Sequence, residues 1–408
     1  MSLNLRAAGI IAFAATILYL AGAYFGGLFT ALFWLLVLLP VFSMVLLVIW
    51  FFTTRYIQSF STLRPVKGQD VQYSLTVGNE SLFPLLDAEV RFTSIGPLMS
   101  SVLPPARVYV QGGEVVKKQF VIRCPYRGIY TIGLERIVLH DLLGLLQLRP
   151  RAAAETFYVF PRVPELKRFT MGTDSLESFS EGDAAGGVPD YTLFNQLRVY
   201  RAGESIRHMA WRKFASTGRP FLKQFDSTAM PDVRIYFDLR SSGLEGTARY
   251  EQEDAVVEIL VALVHYFLTR GTAITVSAPG QKVFQFSGDA PEHFAEFYDS
   301  TVHLEFQDTI SPAAMYRSDR ANGLVSSKSV LIITHIMDPD VFSLVEEYLE
   351  AERSITIIYS HAGYDAAQRK ETREFFYRLQ RKGADIVEVE SSASIAEDLQ
   401  RKRHVGPS

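Results

Sequence analysis

Val233-Arg234-Ile235-Tyr236-Phe237-Asp238-Leu239 is the stretch at which the periodicity of this chain changes. It is an apolar run of strand length, followed by an amphipathic helical pattern over Glu253 to Thr269 and, after Gly271, by a second strand over Thr272 to Ala278. Buried strands then recur at Val330 to Thr334, Ile355 to Tyr359 and Ile386 to Val389. Helical patterns fall near Phe342 to Glu350, Ala367 to Arg381 and Ile395 to Arg401. Strands alternating with helices predict an α/β domain over residues 229–408, built on a mostly parallel sheet covered on both faces. Ligands of such sheets sit at the carboxyl ends of strands, which directs attention to Asp238 to Ser242 and to Thr334 to Asp338.

Asp238-Leu239-Arg240-Ser241-Ser242 approximates Asp-x-Ser-x-Ser, in which a carboxylate and two hydroxyls hold a hard divalent ion such as Mg²⁺. Arg240 stands at the middle ligand position. A guanidinium has no lone pair to give and repels a cation, so Asp238, Ser242 and Asp338 form a degenerate metal set, and the alternative is that Asp238 pairs with Arg240 or caps a turn. No Gly-x-Ser-x-Gly elbow, phosphate-binding Gly-x-x-x-x-Gly-Lys loop or His-Glu-x-x-His motif occurs. His265 and His335 lie in apolar surroundings and read as core or strand-end histidines. No catalytic residue is assigned.

Upstream, residues 163–228 read as a connecting segment. Gly, Ser, Asp and Glu dominate Phe169 to Pro189, a loop composition. The run Asp190 to Lys213 then leads into a short amphipathic helix with Ile206, Met209, Ala210 and Phe214 on one face, Ser205 at its start and Gly218 with Pro220 at its end. Arg198, Arg201, Arg207, Arg212, Lys213, Arg219 and Lys223 make the neighbourhood basic, suited to phosphates or an acidic partner. Pairing with Glu204, Asp190 and Asp226 to lock domains together is the blander and preferred reading.

Residues 60–162 read as an all-β sandwich. Val71, Tyr73, Leu75 and Val77 alternate with polar residues, as do Leu86, Ala88, Val90 and Phe92. Asn79 to Pro84 and Gly112-Gly113 supply turns, and Gly133 divides a strand at Ile129 to Ile132 from one at Leu134 to Leu139. Asn79-Glu80-Ser81 matches a glycosylation sequon that a cytoplasmic domain would never present to the enzyme. Cys124, the single cysteine, excludes an internal disulfide and reads as buried.

Residues 1–54 are a transmembrane hairpin. Ala7 to Phe25 and Leu28 to Phe52 are apolar and uncharged, each reaching the ~20 residues that cross ~30 Å of hydrocarbon, with Gly26-Gly27 as the turn and Pro40 as an expected kink. Arg6 precedes the first run and Arg55, Arg64 and Lys67 follow the second, which places both flanks in the cytoplasm and makes the chain a multi-pass protein of the inner membrane. A cleavable signal peptide is the rival reading, and it leaves the second run unexplained. Ser59 to Gly68 reads as a linker. The 408 residues suffice for two soluble domains, and the net charge of -3 gives no general affinity for nucleic acid.

Three features stand together: Arg127-Gly128-Ile129-Tyr130 with Asp141-Leu142-Leu143-Gly144-Leu145-Leu146, the block Leu197-Arg198-x-Tyr200-x-x-Gly203-Glu204-Ser205-Ile206-Arg207-x-x-x-Trp211, and the strand ending at Asp238. In these the chain resembles the bacterial family known as domain of unknown function 58. The block is the most specific. Two departures stand out: Glu204 replaces the family's usual Asp, and Arg240 breaks the metal-ion-dependent adhesion motif. The resemblance implies a membrane anchor, a sandwich and a C-terminal domain similar to von Willebrand factor A domains. It also implies work beside MoxR-type AAA+ ATPases and envelope proteins, with Leu197, Arg198, Tyr200, Gly203, Glu204, Arg207 and Trp211 as partner or interdomain contacts. The expected role is a non-enzymatic membrane adaptor without a cofactor. A divalent-metal enzyme using Asp238 and Asp338 and a nucleic-acid binder using residues 198–223 are the alternatives.

Overall fold

The computed structural model describes residues 2–97, 103–171, 189–199, 213, 221–227, 232–279, 283–307, 310–324, 329–336, 338–350, 354–381 and 384–401. The chain divides into two compact units, Met1–Phe160 and Pro161–Ser408.

The first unit opens with β1 (Ser2–Leu3), α1 (Leu5–Phe25) and α2 (Gly27–Thr53). Strands β2 (Thr54–Phe60), β3 (Asp70–Asn79), β4 (Leu85–Ile95), β5 (Ala106–Val110), β6 (Val115–Arg123), β7 (Gly128–His140), β8 (Leu146–Leu148) and β9 (Glu155–Val159) follow. Both helices are long and apolar enough to cross a membrane. They turn at Gly26, whose φ of 66° suits glycine, and α2 runs through Pro40. Its strands pair antiparallel throughout the described residues, in one sheet ordered β1-β8-β7-β4-β5 with β9 on β7 and a second ordered β2-β3-β6. Inward residues of both sheets, among them Tyr73, Leu75, Val90, Tyr130 and Phe157, share one core. Each such side chain contributes about 1.5–3 kcal/mol by leaving water.

Three expectations for this unit need correction. Residues 59–68 are not simply a linker, because β2 begins at the residue after α2, and Leu46, Leu47 and Trp50 of the helix enter the β core at helical spacing. Ser43 of the same face donates to Asp141 (2.9 Å), so the Asp141 turn grips α2. Gly133 does not divide two strands; β7 is continuous through it. A Cβ at Gly133 would meet Gln58 Oε1 at 2.6 Å, the atom that accepts from Tyr73 and from the Leu134 amide. On β4 the core residue is Leu85, not Leu86, which is exposed. A bulge between Leu85 and Ala88 shifts the alternation by one. Cys124 is buried, which pushes its thiol up to about 11. Asn79 is buried too, its side chain spent on Phe83 O (2.8 Å) and on the amide and hydroxyl of Ser81.

In the second unit β10 (Pro189–Val199) and β11 (Phe221–Ser227) form an antiparallel ribbon. There follow β12 (Asp232–Phe237), α3 (Gly246–Thr269), β13 (Ala273–Ala278), β14 (Phe284–Gly288), α4 (His293–Ser300), α5 (Pro312–Ala321), β15 (Ser329–Thr334), α6 (Pro339–Glu350), β16 (Ser354–Ser360), α7 (Ala366–Arg381), β17 (Asp385–Val389) and α8 (Ile395–Gln400). The sheet order is β14-β13-β12-β15-β16-β17, parallel except for β14. The expected alternation of strands and helices is there, while β14, α4 and α5 add to it. Nor is α3 amphipathic. Every residue from Ala255 to Val264 is buried, because Leu166, Phe169 and Met171 join the same core as α3 and because α4 and α8 pack against the helix. Arg162 bonds Glu258 of α3 (3.0 Å) and Phe169 N–H meets Tyr266 Oη (3.0 Å), fixing that segment in place.

Candidate functional site

The order of strand addition reverses in the mainly parallel sheet between β12 and β15: from β12 the chain builds outward to β13 and β14, then returns to β15 on the other side. In α/β sheets the carboxyl ends of the two strands at such a switch point are where ligands bind. Asp238 follows β12 directly, Thr334 ends β15, and Asp338 lies just before α6. The Asp238 amide donates to Ile333 O (3.0 Å), and the Thr334 hydroxyl donates to Asp238 Oδ2 (2.7 Å).

Arg240 fills the space between the two carboxylates. Its Nε donates to Asp238 Oδ1 (2.9 Å), its Nη2 to Asp238 Oδ2 (2.8 Å), and its Nη1 to Asp338 Oδ2. The Arg240 amide also donates to Asp238 Oδ1 (3.1 Å), and the Asp340 amide donates to Asp338 Oδ1 (2.8 Å). Every carboxylate oxygen of the pair therefore already accepts at least one hydrogen bond. The side chains are 0% exposed for Asp238, 13% for Arg240 and 11% for Asp338. Burial opposes the charge on Arg240, but the hydrogen bonds and attraction of Asp238, then of Asp338, outweigh it and raise the guanidinium above its ordinary value. With two carboxylates to one guanidinium the cluster holds one negative charge in excess.

His335 supports this arrangement through the main chain of Arg240. Its Nε2 lies 2.9 Å from the Arg240 carbonyl oxygen, which only accepts, so Nε2 carries the proton. Burial holds the imidazole below its ordinary value, although Asp238 and the bond to Arg240 pull the other way. Tyr364 donates to the His335 carbonyl (2.8 Å). Ser242 Oγ accepts from the Leu244 amide (3.3 Å), within its own loop.

Of the sequence-derived residues, the structure thus unites Asp238 and Asp338 around Arg240, while Ser242 bonds within its own loop instead. Leu197 and Arg198 lie on β10, opposite Lys223 and Leu222 of β11. Tyr200, Gly203, Glu204, Arg207 and Trp211 lie outside the described residues, as does the expected helix apart from Lys213. Sequence reasoning missed a second buried pair on β12. Arg234 Nη2 donates to Asp319 (3.2 Å) and Nη1 to Leu324 O, while the Tyr236 hydroxyl also donates to Asp319 (3.0 Å). An arginine inside a buried strand was the available signal, since such a charge needs a partner.

Residues 196–296 match the family described as protein of unknown function DUF58. The match takes in the Leu197 to Trp211 block and the Asp238 to Ser242 edge, about a quarter of the chain. No curated protein matches the sequence. Among solved structures, a CARDB domain from Pyrococcus furiosus is similar at 16% identity over 26% of this chain and 90% of that one, with a TM-score of 0.19. Proximal thread matrix protein 1 of the mussel byssus is similar at 14% identity over 42% of this chain and 46% of that one, with a TM-score of 0.29.

The fold implied by the family resemblance would hold a divalent ion at this edge. The residues present do not fit one: the oxygens it would need accept from Arg240, Thr334 and Asp340, and Arg240 puts its own positive charge between them.

Proposed function

We propose that this protein is a membrane-anchored, non-enzymatic adaptor. Its C-terminal unit, of von Willebrand factor A type, recognises protein partners through the strand ends at Asp238, Arg240 and Asp338. The partners are a MoxR-type AAA+ ATPase and envelope proteins whose assembly it assists. The first unit is a β-sandwich fused to its anchor, and Arg6, Arg55, Arg64 and Lys67 orient the soluble bulk toward the cytoplasm. One observation carries the reading. At the switch point, where α/β sheets bind ligands, the chain holds a preformed cluster with excess negative charge and partial access to solvent. A divalent-metal enzyme is the weaker reading, because its ligands are already taken. Salt-dependent binding of nucleic acid through residues 198–223 is the third reading, and it rests on the basic composition of that segment alone.

Purification from detergent-solubilised membranes together with a MoxR-type ATPase of the same cell tests the role. Retention in at least one nucleotide state is expected, and failure to associate in any state contradicts it. For orientation, alkaline phosphatase fused after Lys67 should be inactive; strong activity would place the bulk outside.

A further inference from the structure

The mismatch between the Asp238 edge and a divalent ion points to a substitution built into the chain: we propose that Arg240 is the resident cation of this site, a tethered replacement for the metal. It rests on the proposed recognition role only for its purpose, not for its chemistry.

A divalent ion at the end of a parallel strand does two things. It neutralises carboxylates that would otherwise repel one another, and it fixes their loops in one geometry. Arg240 does both. Its planar fork binds Asp238 through Nε and Nη2 and reaches Asp338, 98 residues ahead of Arg240 in sequence, through Nη1. Its own amide returns to Asp238 Oδ1, and its carbonyl is held by His335. Main chain and side chain are thus both committed to the cluster. The guanidinium brings one positive charge where a divalent ion brings two, so the edge keeps a net negative charge. It is also permanent. A bound ion comes and goes with its concentration, whereas Arg240 is covalently attached and ionised at every physiological pH. The cluster therefore holds its shape without metal, and chelators leave it intact.

The test uses the full chain in detergent, freed of metal by chelation, with Mg²⁺ and Mn²⁺ as the probes. Calorimetric titration of the unsubstituted chain should give no saturable binding into the millimolar range, and EDTA should leave its melting temperature unchanged. Arg240→Ser removes the guanidinium, with its charge, from Asp238 Oδ1 and Oδ2 and from Asp338 Oδ2. It should therefore gain saturable Mn²⁺ binding and melt roughly 5–10 °C higher with Mn²⁺ at a hundredfold excess over its Kd than without. Arg240→Gln, which keeps hydrogen-bond donors but removes the charge, should gain measurable Mn²⁺ binding as well and covers the case in which the serine variant does not fold. Saturable Mn²⁺ binding to the unsubstituted chain that Asp238→Asn abolishes would overturn the proposal. So would Mn²⁺ titrations of both variants as flat as that of the unsubstituted chain. No partner protein enters the measurement, so its outcome is separate from that of the co-purification.

Discussion

Strand β12 carries a buried guanidinium cluster toward each end, and the two are built differently. Toward the amino end Arg234 meets one carboxylate, Asp319, which also accepts from Tyr236. At the carboxyl end Arg240 meets two, Asp238 and Asp338. Their exposure is similar, at 9% and 15% for Arg234 and Asp319 against 13% and 11% for Arg240 and Asp338. What separates them is charge balance and place. The balanced pair lies away from the switch point and ties α5 to the sheet, whereas the unbalanced cluster lies at the strand ends where α/β sheets hold ligands. A buried ion pair is thus not by itself a sign of function; under the proposed reading, excess charge at a switch point is the better one.

Removing the main carboxylate at either end should have the largest effect. Asp319→Ala leaves the buried Arg234 guanidinium without a carboxylate and should cost about 3–5 kcal/mol in chemical denaturation; Asp238→Ala leaves Arg240 only Asp338 and should cost about 3 kcal/mol. Removing the guanidinium should then tell the ends apart. Arg240→Met leaves two carboxylates facing each other and Arg234→Met leaves one, so the former should cost more at neutral pH. Equal losses at both ends would erase the distinction.

A smaller effect belongs to the carboxyl end alone. Burial lowers the folded pKa of His335, so below its unfolded value of about 6.5 the unfolded chain binds a proton that the folded chain refuses. Stability should be flat above that pH and fall below it, by up to about 1.4 kcal/mol per pH unit. Urea denaturation between pH 5 and 8 checks the slope, and His335→Gln should flatten it.

Much of this architecture is legible in the sequence. The period-2 strands and the strand-helix alternation report burial, which follows the period of the backbone, and the two apolar runs report helices long and apolar enough to cross a membrane. Asp238 and Asp338 are legible as well, because topology alone sends ligands to strand ends. Reading fails where a local irregularity or a distant partner decides. One bulge exchanges Leu85 for Leu86, and the strap at Leu166, Phe169 and Met171 turns an apparently amphipathic α3 into a core helix. Asp319 lies 85 residues from Arg234, too far for any pattern to join them. Arg240 is legible as an obstacle to metal, but its grip on both carboxylates emerges only in three dimensions.

The most direct test of recognition at the carboxyl-end cluster sets the two ends against each other in partner retention. Asp338→Asn and Asp319→Asn should both be expressed in the full chain and purified with the ATPase, with folded protein quantified in each. The amide oxygen introduced by Asp338→Asn can still accept from Arg240 or from the Asp340 amide, so the effect on stability should stay within about 1 kcal/mol. Asp338→Asn should lose the partner while folded, and Asp319→Asn, although less stable, should retain it in proportion to its folded fraction. Equal retention by both variants would contradict recognition through the Asp238, Arg240 and Asp338 cluster.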